Sequence, residues 1–158
     1  DRDAEPTFEQ VTKLRYVRRV IDETLRLWPT APGFSRGPRA ATVVGGRWVM
    51  EPGDSALVLL PAVHRDPAVW GPDPERFDPD RFAPDRREDR SHRMAFEPFG
   101  GGVHKCIGMH FAGMQVRAIF HELLRGYRWS VPDDYVWPID LTALPYPRDG
   151  VPVKLEKL

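Results

Sequence analysis

A single cysteine, Cys106, stands in a chain of 158 residues. It has no partner for an internal disulfide, and no zinc site can be built from several thiolates. Charge of one sign is not in excess either. The 23 Lys and Arg are matched by 23 Asp and Glu, for a formal net charge of zero. That balance argues against a partner held by bulk electrostatics, nucleic acid above all. Long apolar runs are missing, since the longest, Ala56 to Val63, falls far short of the ~20 residues that span a bilayer. No repeat, low-complexity segment or targeting peptide is present, and the chain opens on Asp1, so it reads as an excerpt of something longer. What abounds is proline: 17 of 158 residues, about 11% against a typical ~5%. Much of the chain must therefore run in turns and extended connections. With 41% hydrophobic residues it still has the composition of a globular domain or a piece of one.

Two helical stretches bracket a proline-punctuated middle. Over Leu14 to Leu27, the residues Leu14, Val17, Ile21, Leu25 and Trp28 recur at helical spacing and form one apolar stripe. Pro29 ends it, lacking an amide hydrogen and disfavouring α geometry in the residue before it. Thr42-Val43-Val44 and Arg47-Trp48-Val49 flank Gly45-Gly46, which predicts a hairpin. Ser55 to Leu60 reads as a buried strand, and Pro61 to Trp70 has room for one short helix. From Gly71 to Phe99 the periodicity dissolves into Pro, Asp, Arg and Phe with balanced charge, the composition of a solvated loop. Phe77, Phe82, Phe96 and Phe99 point instead to an ordered coil wrapped on a surface. A second helix is expected from about Ile107 to Arg125, burying Phe111, Met114, Ala118, Ile119 and Leu123 and stopping at Gly126. The tail, Tyr127 to Leu158, reads as short strands and turns ending in Val151 to Leu155. The fold class predicted is α+β, mainly α.

Chemistry concentrates in Pro98-Phe99-Gly100-Gly101-Gly102-Val103-His104-Lys105-Cys106-Ile107-Gly108. A glycine-rich turn exposes backbone amides and lets a flat ligand approach the main chain. Cys106 sits where the turn becomes a helix, and the amides and dipole of a helix start stabilise a thiolate. Phe99 and the apolar helix face supply a dry wall. Such a sulfur can donate to a metal, with hydrogen bonds tuning its strength. Taken alone, a lone cysteine is as readily an inert small hydrophobe. A zinc site from His104, Cys106 and His110 is the competing arrangement, but it leaves the glycines and Phe99 unexplained. His92 and His121 are expected at the surface. Elsewhere, Glu23 and Arg26 lie three apart on the first helix, opposite its apolar stripe. By periodicity they form a surface ion pair worth less than ~1 kcal/mol.

The spacing Phe-x-x-Gly-x-x-x-Cys-x-Gly, met by Phe99, Gly102, Cys106 and Gly108, resembles the proximal heme loop of the cytochrome P-450 family. Glu23-x-x-Arg26 followed by Leu27-x-Pro29 resembles the family's K helix. The resemblance implies that this pair is buried and locked to an arginine of the coil. Arg76 and Arg81 are the candidates, and Phe77-Asp78-Pro79-Asp80-Arg81-Phe82 matches the family's Phe-x-Pro-x-Arg-Phe, which selects Arg81. It further implies heme b (iron protoporphyrin IX) as cofactor, with Cys106 as axial thiolate and catalytic centre. Phe99, Gly100, Gly102, His104, Gly108 and Arg36 would line the cofactor, with Arg36 and His104 toward its propionates. Thr30, Ala31, Pro32, Gly33 and Phe34 would line a substrate pocket, and the tail around Leu141 to Leu144 would give a second wall. His64-Arg65-Asp66-Pro67 and Trp70 fit the family as structural residues.

The resemblance covers Leu14 to the end, so residues 1–158 are expected to form one partial domain. It would comprise the K helix, small β-sheets, meander coil, heme-binding cysteine loop and L helix. The family's long central helix, whose acid–alcohol pair relays protons to oxygen, is not in this sequence. The complete protein is accordingly expected to be a monooxygenase inserting one atom of O2 into an apolar small molecule. Its electrons would come from a ferredoxin, flavodoxin or reductase, steered by a basic patch of Lys105, His110 and Arg117. Leu25-Arg26-Leu27-Trp28-Pro29-Thr30-Ala31-Pro32 resembles bacterial fatty-acid-hydroxylating members, while Val103-His104-Lys105 departs from their Arg-containing loop. A soluble bacterial protein of the cytoplasm is the corresponding location. Two other outcomes stay open at this point: a heme-binding or sensing module without oxygenase activity, and a fragment unable to hold heme or catalyse alone.

Overall fold

The computed structural model describes residues 5–140, 142 and 144–158. The chain opens with helix α1 (Phe8–Thr12), started by a reciprocal capping box between Thr7 and Gln10. Helix α2 (Arg15–Leu27) follows and ends one residue before Trp28-Pro29. Next come strands β1 (Gly33–Arg36), β2 (Thr42–Val44), β3 (Trp48–Met50) and β4 (Ala56–Leu59), then two short helices, α3 (Leu60–Val63) and α4 (Pro67–Trp70). Asp66 caps α4 by accepting from the Ala68 amide, with Pro67 as its first residue. A coil with 3-10 turns at Pro79–Phe82 and Glu88–Arg90 leads to a third such turn, Gly102–His104. Helix α5 (Met109–Gly126) then runs into β5 (Tyr127–Ser130), β6 (Ile139–Asp140), β7 (Tyr146–Pro147) and β8 (Lys154–Lys157).

Four antiparallel strand pairs result: β1 with β4, β2 with β3, β5 with β8 and β6 with β7. In the β2–β3 hairpin both glycines are left-handed, with φ of 60° at Gly45 and 67° at Gly46. Val44 pairs with Trp48, so Arg47 belongs to the turn and not to the strand. Strand β4 corrects the expectation of burial, since Leu57 and Leu59 are exposed. A run of apolar residues in a two-stranded sheet can cover only one face. Two short helices replace the one expected between Pro61 and Trp70, because Asp66-Pro67 restarts the chain.

The apolar core is small. Trp70, Phe82 and Ala95 are buried together, with Val69 and Phe96 packed against them. Phe82 and Phe96 meet edge-on at 4.9 Å between ring centres, and Trp70 closes the cluster. Most of these groups come from the stretch Gly71 to Phe99 or its edge, so this coil is an ordered, core-forming part of the molecule. Helix α5 departs from expectation. Phe111, Ile119 and Leu123 are exposed and Gly113 is its buried residue. The side of α5 that meets α2 carries Ala112, Gly113, Val116 and Phe120 around a hollow of about 270 Å³.

Candidate functional site

Helix α2 buries its charged flank and leaves its apolar stripe half-covered. Asp22, Glu23, Arg26 and Leu27 are its buried residues, while Trp28 is 42% exposed. The cause lies in what faces it, since the carbonyls of His64, Pro74 and Arg76 converge on this flank. Arg26 donates from Nε to Glu23 Oε2 at 2.6 Å and from Nη2 to Glu23 Oε1 at 2.8 Å. Its remaining donors reach the carbonyls of His64 and Pro74, each at 2.7 Å, and of Arg76 at 3.2 Å. Glu23 Oε1 also accepts from the Asp78 amide at 2.8 Å. A buried ion pair is tolerable only when its other donors and acceptors are met in this way. The Arg26 guanidinium also lies over the Trp70 ring, 5.1 Å from its centre.

Arg81, not Arg76, approaches this pair. Its Nε stands 3.6 Å from Glu23 Oε1, a charge contact beyond hydrogen-bond reach. The Arg76 side chain is 72% exposed, and only its carbonyl joins the network. Arg81 Nη1 donates to the Trp70 carbonyl and to Glu88, and Nη2 to the carbonyl and carboxylate of Asp73. Burial alone would favour its neutral form, but the bonds to Glu88 and Asp73 outweigh that and hold its pKa above the ordinary value.

The cysteine loop hangs from this buried frame. Glu97 accepts on its carbonyl from the Gly100 amide at 2.9 Å, and Phe99 from the Cys106 amide at 2.9 Å. Between these bonds the chain bends at Gly100 (φ 69°) and Gly102 (φ 66°), conformations that strain any residue with a Cβ. Gly101 is needed for a different reason: a Cβ there would lie 3.0 Å from Glu97 Oε2 and 3.2 Å from Met94 Cε. Cys106 is exposed, and its carbonyl accepts from the Met109 amide. Helix α5 begins at Met109, so the cysteine precedes the helix by one turn instead of standing in it. Val103, Ile107 and Phe111 around it are exposed, at 95%, 101% and 73%.

Other expected site residues are scattered more widely. Arg36 is exposed, lies over the Phe34 ring at 4.4 Å and donates to the Ser35 carbonyl. His104, Lys105 and His110 are exposed. Arg117 is not part of a patch with them. Half-buried, it donates to the carbonyls of Gly113 and Thr12, and burial followed by repulsion from Arg18 lowers its pKa. His121 is half-buried against Glu122, whereas His92 is exposed. Thr30 lines two hollows, one between α2 and α5 and one of about 300 Å³ with Trp28, Trp137, Ile139 and Tyr146. Ala31, Pro32, Gly33, Phe34 and Leu144 line neither hollow, and Leu144 is 60% exposed. Leu141 lies outside the described residues. One participant was undervalued by sequence reasoning: His64, fully buried between Arg26 and Glu97. The resemblance marks His64-Arg65-Asp66-Pro67 as structural, and a histidine closing the otherwise apolar turn Leu60 to Val63 is the further signal.

The donor set discriminates between metals. Among the described residues no group of three or more His, Cys, Asp or Glu is gathered to hold a metal ion, which removes the zinc arrangement of His104, Cys106 and His110. A single exposed thiol among uncovered apolar side chains suits an iron whose remaining ligands would come from a macrocycle, so the residues fit heme.

A family model described as cytochrome P-450 matches residues 1–154. A bifunctional cytochrome P-450/NADPH–P-450 reductase of Bacillus subtilis (strain 168) is 40% identical over 147 residues, 93% of this chain and 14% of that protein. A self-sufficient cytochrome P-450 monooxygenase of Aspergillus kawachii is 37% identical over 131 residues, covering 83% of the chain and 12% of the relative. The crystal structure of the cytochrome P-450DA heme domain superposes with a TM-score of 0.90 at 32% identity, over 99% of this chain and 34% of that one. The chain thus spans a small share of these relatives, about a third of the heme domain. Its sequence and its fold both place it in the cytochrome P-450 family.

Proposed function

We propose that residues 1–158 are the carboxy-terminal part of a heme-thiolate monooxygenase domain, with Cys106 as axial ligand to heme b. The observation that carries this reading is the exposed thiol of Cys106, presented by a doubly bent glycine loop that hydrogen-bonds back to Phe99. When bound, the heme supplies oxygen activation, with electron donation from the sulfur favouring O–O cleavage. The chain's own residues then have separate tasks. Glu23, Arg26 and Arg81 fix the coil that ends in the loop. Gly100, Gly102 and Gly108 keep the backbone close to a flat ligand, and Phe99 walls it from water. His104 and Arg36 are exposed cations or donors suited to propionates. One oxygen atom would enter an apolar substrate of fatty-acid type beside Thr30, and the other would leave as water.

The relatives that join a cytochrome P-450 to an NADPH–P-450 reductase support a reductase as electron donor in preference to a ferredoxin or flavodoxin. For the 158 residues alone we propose no independent turnover, because Phe111, Ile119 and Leu123 leave an apolar face uncovered. The test uses the full-length protein supplied with NADPH, its reductase, a medium-chain fatty acid and isotopically heavy dioxygen. Hydroxylated product carrying one heavy oxygen, lost in Cys106→Ala, is the expected result. Bound heme with no product from any apolar substrate or donor would overturn the oxygenase and leave a sensing module.

A further inference from the structure

We propose that His64 is a positioning residue for the cysteine loop, holding the Glu97 amide at the base of that loop through one fixed imidazole tautomer. The inference deepens the heme-thiolate reading and rests on it. His64 is fully buried. Its Nδ1 lies 3.2 Å from the Arg26 carbonyl, and its Nε2 lies 3.2 Å from the Glu97 amide nitrogen. A carbonyl can only accept and an amide N–H can only donate. Both partners are satisfied only when Nδ1 carries the proton and Nε2 is bare.

The ring therefore closes a reciprocal lock with α2. The Arg26 side chain donates to the His64 carbonyl at 2.7 Å, while the His64 side chain donates to the Arg26 carbonyl. At its far edge the ring accepts from Glu97, whose carbonyl holds the Gly100 amide at the first bend of the loop. Phe99, one residue earlier, holds the Cys106 amide. Hydrogen bonds, joined by the covalent steps within Glu97 and between Phe99 and Gly100, thus lead from the last turn of α2 to the sulfur-bearing residue. The Phe96 ring packs against the imidazole, 5.4 Å between centres and tilted by 39°. Every partner belongs to this stretch of chain.

Two amide variants separate positioning from space filling. Gln is long enough to put its oxygen where Nε2 stands, so His64→Gln keeps the bond from Glu97. Asn stops at the Nδ1 position, so His64→Asn keeps the bond to Arg26 and strands the Glu97 amide. In the full-length holoprotein, hydrogen exchange over residues 97–106 is measured beside the iron reduction potential and the carbon-monoxide spectrum of the reduced protein. His64→Asn is expected to speed exchange of the Glu97 amide by about tenfold, the loss of one buried hydrogen bond. It should also move the potential and shift part of the spectrum from the thiolate to the thiol form. His64→Gln should do neither. Equal behaviour of the two variants in exchange and spectrum overturns the proposal. Should the Asn protein fail to fold, Gln decides alone: retained Glu97 protection supports the proposal, and its loss overturns it. A wild-type protein that binds heme without a thiolate band would instead overturn the heme-thiolate reading, and the exchange comparison would still decide the His64 link.

Discussion

Arg26 grips Glu23 with two parallel hydrogen bonds, 2.6 and 2.8 Å long, and neither side chain has any solvent exposure. Three backbone carbonyls from two further segments, at His64, Pro74 and Arg76, complete the coordination of the guanidinium. Removing either partner leaves a charge buried and unpaired. Arg26→Ala or Glu23→Ala should therefore cost roughly 3–5 kcal/mol in the full-length protein. Arg26→Lys should rescue little, since an ammonium offers three donors where five bonds are made. Chemical denaturation of the full-length variants checks both statements.

The coil arginines offer a matched comparison. Arg81 is buried and bonded to Trp70, Glu88 and Asp73, while the Arg76 side chain is 72% exposed. Arg81→Ala is expected to destabilise by about 2–4 kcal/mol and Arg76→Ala by less than ~0.5 kcal/mol. Similar losses for the two would contradict the assignment of Arg81 to the buried network.

His64 gives stability a pH dependence of defined sign. Burial, the largest cause, together with nearby Arg26 and Arg65, lowers its pKa from 6.5 to about 4. Between those values the unfolded chain binds a proton that the native fold refuses. Its contribution is complete above pH 6.5 and falls away as pH drops through that window toward 4. The full loss is ~3 kcal/mol. Unfolding free energies measured from pH 7.5 down to 4.5 should decline less steeply in His64→Gln than in the wild type.

Loop glycines fail for different reasons when substituted. Gly100→Ala and Gly102→Ala meet little or nothing in space but force Ala into the left-handed region, at ~1–2 kcal/mol each. Gly101→Ala has an unstrained backbone yet presses on Glu97 and Met94. Heme retention after dilution should fall in all three, and only Gly101→Ala should be relieved by shortening a neighbour, as in Glu97→Ala.

The sequence disclosed the boundaries of the structure better than its interior. Helix α2 ends as Trp28-Pro29 requires, and Gly45-Gly46 forms the turn their backbone freedom permits. The side of α2 that is buried could not be read from periodicity, which registers apolar spacing and not what lies opposite. Glu23 and Arg26 go inside because carbonyls some 40 to 50 residues further along the chain converge on them. Only the family resemblance, with Phe77-x-Pro79-x-Arg81-Phe82, pointed to that. Helix α5 shows the reverse error. Phe111, Ile119 and Leu123 suggested a buried face, but α2 approaches at Gly113, where Arg18 Nη1 would be 3.5 Å from a Cβ. Arg117 likewise turns inward to Thr12 and Gly113 instead of joining Lys105 and His110. The arrangement around Cys106 was carried by residue types at fixed spacing, since a bent loop needs glycine and a thiolate needs cysteine wherever they occur.

The central claim is that Cys106 ligates heme iron through a thiolate. Its most direct test is the absorbance difference spectrum of the reduced full-length protein with and without carbon monoxide. The account predicts the long-wavelength Soret band that marks thiolate ligation, abolished in a folded Cys106→Ala protein. A folded, heme-loaded wild type lacking that band, or an alanine variant retaining it, would contradict the account.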